Sequence, residues 1–92
     1  MMVFTQNKFK MNKEYVFEKV KLIIEKIMEG ASIPDVEMNS NMRNDLEMDS
    51  LNLIELILAC EHDFNIMVND DDVVGFTTVE ECVNYIHKLI NK

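Results

Sequence analysis

Chain breakers are scarce in this sequence: Gly30, Gly75 and Pro34 are the only Gly and Pro among 92 residues, and none falls between Asp35 and Val74. Helices are therefore the expected content. Cysteine is nearly as rare. Cys60 and Cys82 each sit inside an apolar pattern, too sparse for a secreted disulfide scaffold, and read as reduced core thiols. No 18-residue apolar run occurs. The opening MMVFTQNKFK has neither an uninterrupted apolar stretch nor a small-residue cleavage site, so nothing predicts targeting or membrane insertion. Histidine occurs only as His62 and His87, in different helical patterns, which signals no nucleophile–base pair. Cys60 and His62 are two apart and point to different sides of a helix, so they do not start a zinc site. The Asp70-Asp71-Asp72 run lacks the alternating ligands, central Gly and terminal Glu of an EF-hand loop, and reads as a solvated helix start. No metal is expected.

What is present is a soluble globule's composition, 48% apolar and 28% charged. A chain this short shares one hydrophobic core, predicting a single domain over residues 12–92, preceded by a basic leader, disordered or an extra helical turn, over residues 1–11. Size disfavours a stand-alone enzyme. Charge is uneven: residues 1 to 26 hold six Lys and three Glu, whereas Glu29 to Glu81 hold fourteen acids and one base, Arg43. Such a surface repels nucleic acid and favours a basic protein partner through salt-sensitive steering, or else it merely keeps the protein soluble.

Apolar spacing and caps predict an all-α fold, a small four-helix bundle with three long helices, one short helix and a long loop between the first two. The first helix starts near Asn12 and presents Val16, Val20, Ile23, Ile24 and Ile27 inward before Gly30, with Lys13, Lys19 and Lys26 facing water. Residues 31–48 show no period and form a structured loop, functional or packed over the core. Asp49 and Ser50 open the second helix, which reads to Phe64. Leu53, Ile57, Cys60 and Phe64 make its buried stripe; Leu51, Ile54 and Leu58 make a second stripe that one core of this size cannot also bury. That second stripe is expected at the surface as a contact site, the alternative being that the long loop covers it. Asn69–Val74 allows about one helical turn. Thr78-Val79-Glu80-Glu81 fits a capping box opening the last helix, whose inward stripe is Val79, Cys82, Val83, Ile86 and Leu89 or Ile90.

Taken alone, an Asp-Ser dipeptide makes Ser50 an ordinary helix cap. In context, Asp49-Ser50-Leu51 followed by Ile54, Glu55 and Leu56, Phe64 fourteen residues after the serine, and Thr77-Thr78-Val79 opening the closing helix resemble the acyl carrier protein family. The resemblance runs from Lys13 to Ile90. It implies that Ser50 receives 4′-phosphopantetheine from coenzyme A through a separate magnesium-dependent phosphopantetheinyl transferase, and that the protein is no enzyme. It also implies that acyl groups ride the arm's thiol as thioesters. Asp49, Leu51, Ile54, Glu55 and Leu58, extended by Glu61, would then be the docking face for synthases or ligases with basic patches. An attached chain would enter the bundle among Leu53, Ile57, Phe64 and Ile86.

Departures from the family pattern are Glu47 where many members have Gly, Asn52 and His62 where fatty-acid carriers commonly have acids, and Met67-Val68-Asn69 in place of Ile-Pro-Asp. If position 47 needs positive φ, Glu47 is strained or the loop differs. The resulting expectation is a monomeric, cytoplasmic acyl carrier for fatty-acid, lipid or polyketide-type biosynthesis, with no membrane or nucleic-acid partner. Alternatives are an aminoacyl, peptidyl or D-alanyl carrier, or, from another class, an unmodified helical interaction module.

Overall fold

The side-chain oxygen of Asn12 accepts the N–H of Tyr15 at 2.9 Å and caps helix α1, Lys13–Ile27. In the computed structural model, which describes residues 12–73 and 75–91, three further helices follow: α2, Ser50–Phe64; α3, Asp70–Val73; and α4, Val79–Ile90. No strand occurs among the described residues, only an isolated antiparallel bridge between Asn41 and Thr78. Residues 1–11, the expected leader, lie outside the described residues.

Helix α1 packs against both α2 and α4. Its buried line is Val16, Val20 and Ile24, with Ile23 and Ile27 partly buried beside it, as three- and four-residue spacing requires. Gly30 follows at φ +94°, a left-handed turn that favours a residue without Cβ. From α4 come Val79, Cys82, Val83 and Ile86. Helix α2 contributes the expected Leu53, Ile57, Cys60 and Phe64 together with Leu56, which widens its inward face beyond a single stripe. Cys60 and Cys82 are free and buried; their mutual hydrogen bond and their burial push the Cys60 thiol well up, away from the reactive thiolate.

The loop between α1 and α2 is part of the core. Val36, Met42, Leu46 and Met48 are all buried. Four backbone bonds hold it in place: Met42 N–H donates to Thr77 at 2.9 Å, Val79 N–H to Ser40 at 3.0 Å, Glu80 N–H to Met38 at 2.9 Å and, within the loop itself, Met48 N–H to Met42 at 2.9 Å. The first three fasten the loop to the head of α4. It does not lie over the second stripe of α2: Leu51, Ile54 and Leu58 are 63%, 52% and 59% exposed. The alternative in which the loop covers them is therefore excluded.

Short helix α3 is also tied down. Asn69 accepts the N–H of Asp71 on its side chain at 2.8 Å. The Tyr85 hydroxyl donates to Asp72 at 2.8 Å and accepts the N–H of Asn69 at 3.3 Å, while its ring meets Phe76 edge-on at 5.2 Å. Asp72 is thus an anchor to α4 and not merely a solvated carboxylate.

Candidate functional site

The head of α2 is built by a reciprocal cap. Asp49, in extended backbone, accepts the N–H of Asn52 at 2.8 Å, and the Asn52 side chain accepts the N–H of Asp49 at 3.0 Å. This is a capping box with Asn in the place usually held by Glu or Gln. Asn52, which departs from the acidic residue common in fatty-acid carriers, thus has a local structural task. Its amide also donates to Glu55 at 3.4 Å.

Immediately upstream, Glu47 adopts φ 56°. Buried Leu46 and buried Met48 flank it while Glu47 itself is exposed, so the left-handed residue turns the chain between two inward side chains. The strain anticipated from a side chain here is present. A non-Gly residue in this region costs roughly 1 to 2 kcal/mol.

Ser50, the first residue of α2, is exposed. The N–H groups of Ser50 and Leu51 precede the intrahelical ladder, which begins with Leu53 N–H donating to Asp49 at 3.0 Å. Among the described residues no acceptor meets them. The Ser50 hydroxyl has one neighbour that sequence reasoning did not assign to the site: Arg43, seven residues earlier, whose guanidinium donates to it at 3.4 Å. The available signal was Arg43's position as the lone base in the acidic stretch.

Around this hydroxyl the residues expected to act together divide into two groups. Asp49, Leu51, Ile54, Glu55 and Leu58 are exposed, the three apolar ones at i, i+3 and i+7 along α2. Glu61 is half-buried, and its carboxylate accepts the N–H of Val68 at 2.8 Å, holding the segment after α2. One of its carboxylate oxygens is thus already engaged within the protein, while the residue stays partly exposed. Leu53, Ile57, Phe64 and Ile86 belong to the buried core cluster. A surface groove of about 540 Å³ between α1 and α2 is lined by Ile23, Lys26, Ile27, Glu55, Ala59 and Asp63, none of those four.

Among the described residues no side-chain acceptor is hydrogen-bonded to the Ser50 hydroxyl. His62 is well exposed near the far end of α2 and lies 3.2 Å from its neighbour Asp63. Among the described residues, no group of three or more His, Cys, Asp or Glu is arranged to hold a metal, and no helix is long and apolar enough to cross a membrane. An exposed serine hydroxyl at a helix start with a cation beside it suits a group modified by another protein, on a small helical carrier.

Comparison with known proteins agrees with that class. The family description "Phosphopantetheine attachment site" matches residues 18–86. A protein of Desulforapulum autotrophicum named acyl carrier protein is 41% identical over 70 residues, covering 76% of this chain and 91% of its own. One of the same name from Guillardia theta is 35% identical over 80 residues, with 87% and 98% covered. A third, from Buchnera aphidicola, is 36% identical over 77 residues, with 84% and 96% covered. The chain belongs to the acyl carrier protein family, whose members hold 4′-phosphopantetheine covalently and are carriers, not catalysts.

The head of α2 fits such a group. Attachment needs an accessible hydroxyl, and a phosphodiester needs hydrogen-bond donors; this site offers the Ser50 hydroxyl, two open N–H groups and a guanidinium.

Proposed function

We propose that Ser50 carries the 4′-phosphopantetheine arm and that the protein presents acyl intermediates to partner enzymes in fatty-acid, lipid or polyketide-type biosynthesis. The observation that carries this reading is the exposed Ser50 hydroxyl at the first position of a capped helix, with the Arg43 guanidinium beside it. When bound, the arm supplies a terminal thiol on which acyl groups are held as thioesters. During loading, Ser50 gives its hydroxyl proton to a base on the transferase while its oxygen bonds the pantetheine-bearing phosphorus of coenzyme A, the pyrophosphate link breaks and adenosine 3′,5′-bisphosphate leaves. A phosphodiester at this exposed helix end gains on the order of 0.3 to 1 kcal/mol from the helix dipole, opposed in part by Asp49.

Partner enzymes read the adjoining face. Leu51, Ile54 and Leu58 supply apolar contact, and Asp49 and Glu55 supply charge for basic patches, with Glu61 at its far edge. Such contacts are weak and quickly reversed, because one carrier visits several enzymes, and charge steering raises on-rates without tight binding. The protein acts as a monomer in the cytoplasm, where its two thiols stay reduced.

The test is incubation with coenzyme A, magnesium and a promiscuous phosphopantetheinyl transferase, followed by intact-mass measurement. Wild type gains one arm and Ser50→Ala gains none. No gain on wild type, or an equal gain on S50A, contradicts the proposal; the former leaves an unmodified helical interaction module.

A further inference from the structure

We infer that Arg43 is the positioning residue for the arm's phosphodiester: its guanidinium holds the phosphate against the open head of α2 and sets the direction in which the arm leaves the protein. This inference rests on the reading of Ser50 as the attachment point.

Three observations carry it. Arg43 is the only Lys or Arg between Glu29 and Glu81, a stretch with fourteen acids. Yet among the described residues it forms no ion pair, and its guanidinium donates instead to the Ser50 hydroxyl at 3.4 Å. A lone cation amid carboxylates that contacts a neutral hydroxyl is kept clear for another anion. A guanidinium has five donors in a planar fork; with one directed at the Ser50 oxygen, others remain for the phosphate oxygens, a match that an ammonium does not reproduce.

The backbone holding Arg43 is fixed on every side. The Asn41 side chain accepts the N–H of Arg43 at 3.1 Å and of Asn44 at 2.8 Å, while Asn41 N–H donates to Asp45 at 2.8 Å. Met42, next in chain, is buried, and Leu46 is buried three residues on. Because Met42 N–H also bonds to Thr77, the position of Arg43 is referred to the head of α4 and not to a loose loop. Asp49, capping α2 beside Ser50, would otherwise leave the phosphate next to a like charge with no nearby counter-ion.

The test uses wild type, Arg43→Gln and Arg43→Lys, each in apo form and loaded to completion with excess transferase, as verified by intact mass. Thermal midpoints and the 31P chemical shift of the phosphodiester are measured at low and high salt. Loading is expected to raise the wild-type midpoint by roughly 2 to 4 °C more than that of R43Q at low salt, with R43K between them. The 31P resonance of R43Q should move from the wild-type position toward that of a free phosphodiester. High salt should shrink the difference between the variants. Equal loading increments and equal 31P shifts in wild type and R43Q overturn the inference while leaving Ser50 as the attachment point. A wild type that takes up no arm overturns both.

Discussion

At the head of α4, Val79 and Glu80 donate their N–H groups to the carbonyls of Ser40 and Met38, and Glu81 donates to the Thr78 hydroxyl. At the head of α2, the corresponding N–H groups of Ser50 and Leu51 meet no acceptor among the described residues, although Asp49 and Asn52 form the same kind of reciprocal cap as Thr78 and Glu81. Equal local chemistry thus leads to opposite surroundings, because the long loop spends its carbonyls on one helix and passes the other by. Unmatched donors of a helix start need a partner, and water or a ligand is the remaining choice. The covered head is structural; the open one is available for an anion.

This contrast can be broken first through the loop. Leu46→Ala, which removes a buried anchor of the segment that covers α4, should destabilise by about 2 to 5 kcal/mol, whereas Leu58→Ala on the exposed strip should stay within about 0.5 kcal/mol. Urea unfolding of both variants decides it, and equal costs would mean that the loop is not core.

The turn into α2 offers the next effect, of opposite sign. Glu47→Gly relieves a left-handed side chain and should stabilise by about 1 kcal/mol in the same experiment. A loss of stability would show that Glu47 makes a compensating contact.

Acid sharpens the comparison at α4. The N–H groups of Thr77 and Thr78, donating to the Glu81 carboxylate at 2.6 and 3.1 Å, hold its pKa below the ordinary 4.5. A depressed carboxylate contributes stability that is present above its unfolded pKa and lost as pH falls through the folded one. The difference in urea midpoint between wild type and Glu81→Gln should therefore be full at neutral pH and narrow as the pH falls below 4.5. A constant gap would remove Glu81 from the cap's charge balance.

The smallest change to the fold and the clearest change in behaviour is expected from Glu55→Lys. Circular dichroism should stay unchanged while association with a transferase or synthase slows, most visibly at low salt. Unchanged kinetics would take Glu55 off the docking face.

Most of the fold was legible because its signals are local. Asn12, Asp49 and Thr78 cap where side-chain oxygens precede apolar periods, and the exposed strip of α2 and all of its buried face but Leu56 followed from residue spacing. The loop hid its content: Val36, Met42, Leu46 and Met48 are buried without any period, since long-range bonds to α4, and not helical geometry, decide which of them turn inward. Arg43 was visible as an isolated charge, but its approach to Ser50 depends on the Asn41 turn, which no local rule placed. Glu61 looked like a surface acid by its position on α2; its bond to Val68 depends on how the chain reverses after Asn65, which adopts φ 55° at the helix end.

The most direct test of the account is peptide mapping by tandem mass spectrometry of the protein purified from its own cells, without added transferase. The account predicts a peptide spanning residues 44–60 that bears 4′-phosphopantetheine on Ser50; that peptide recovered only unmodified, or the arm found on another side chain, would contradict it.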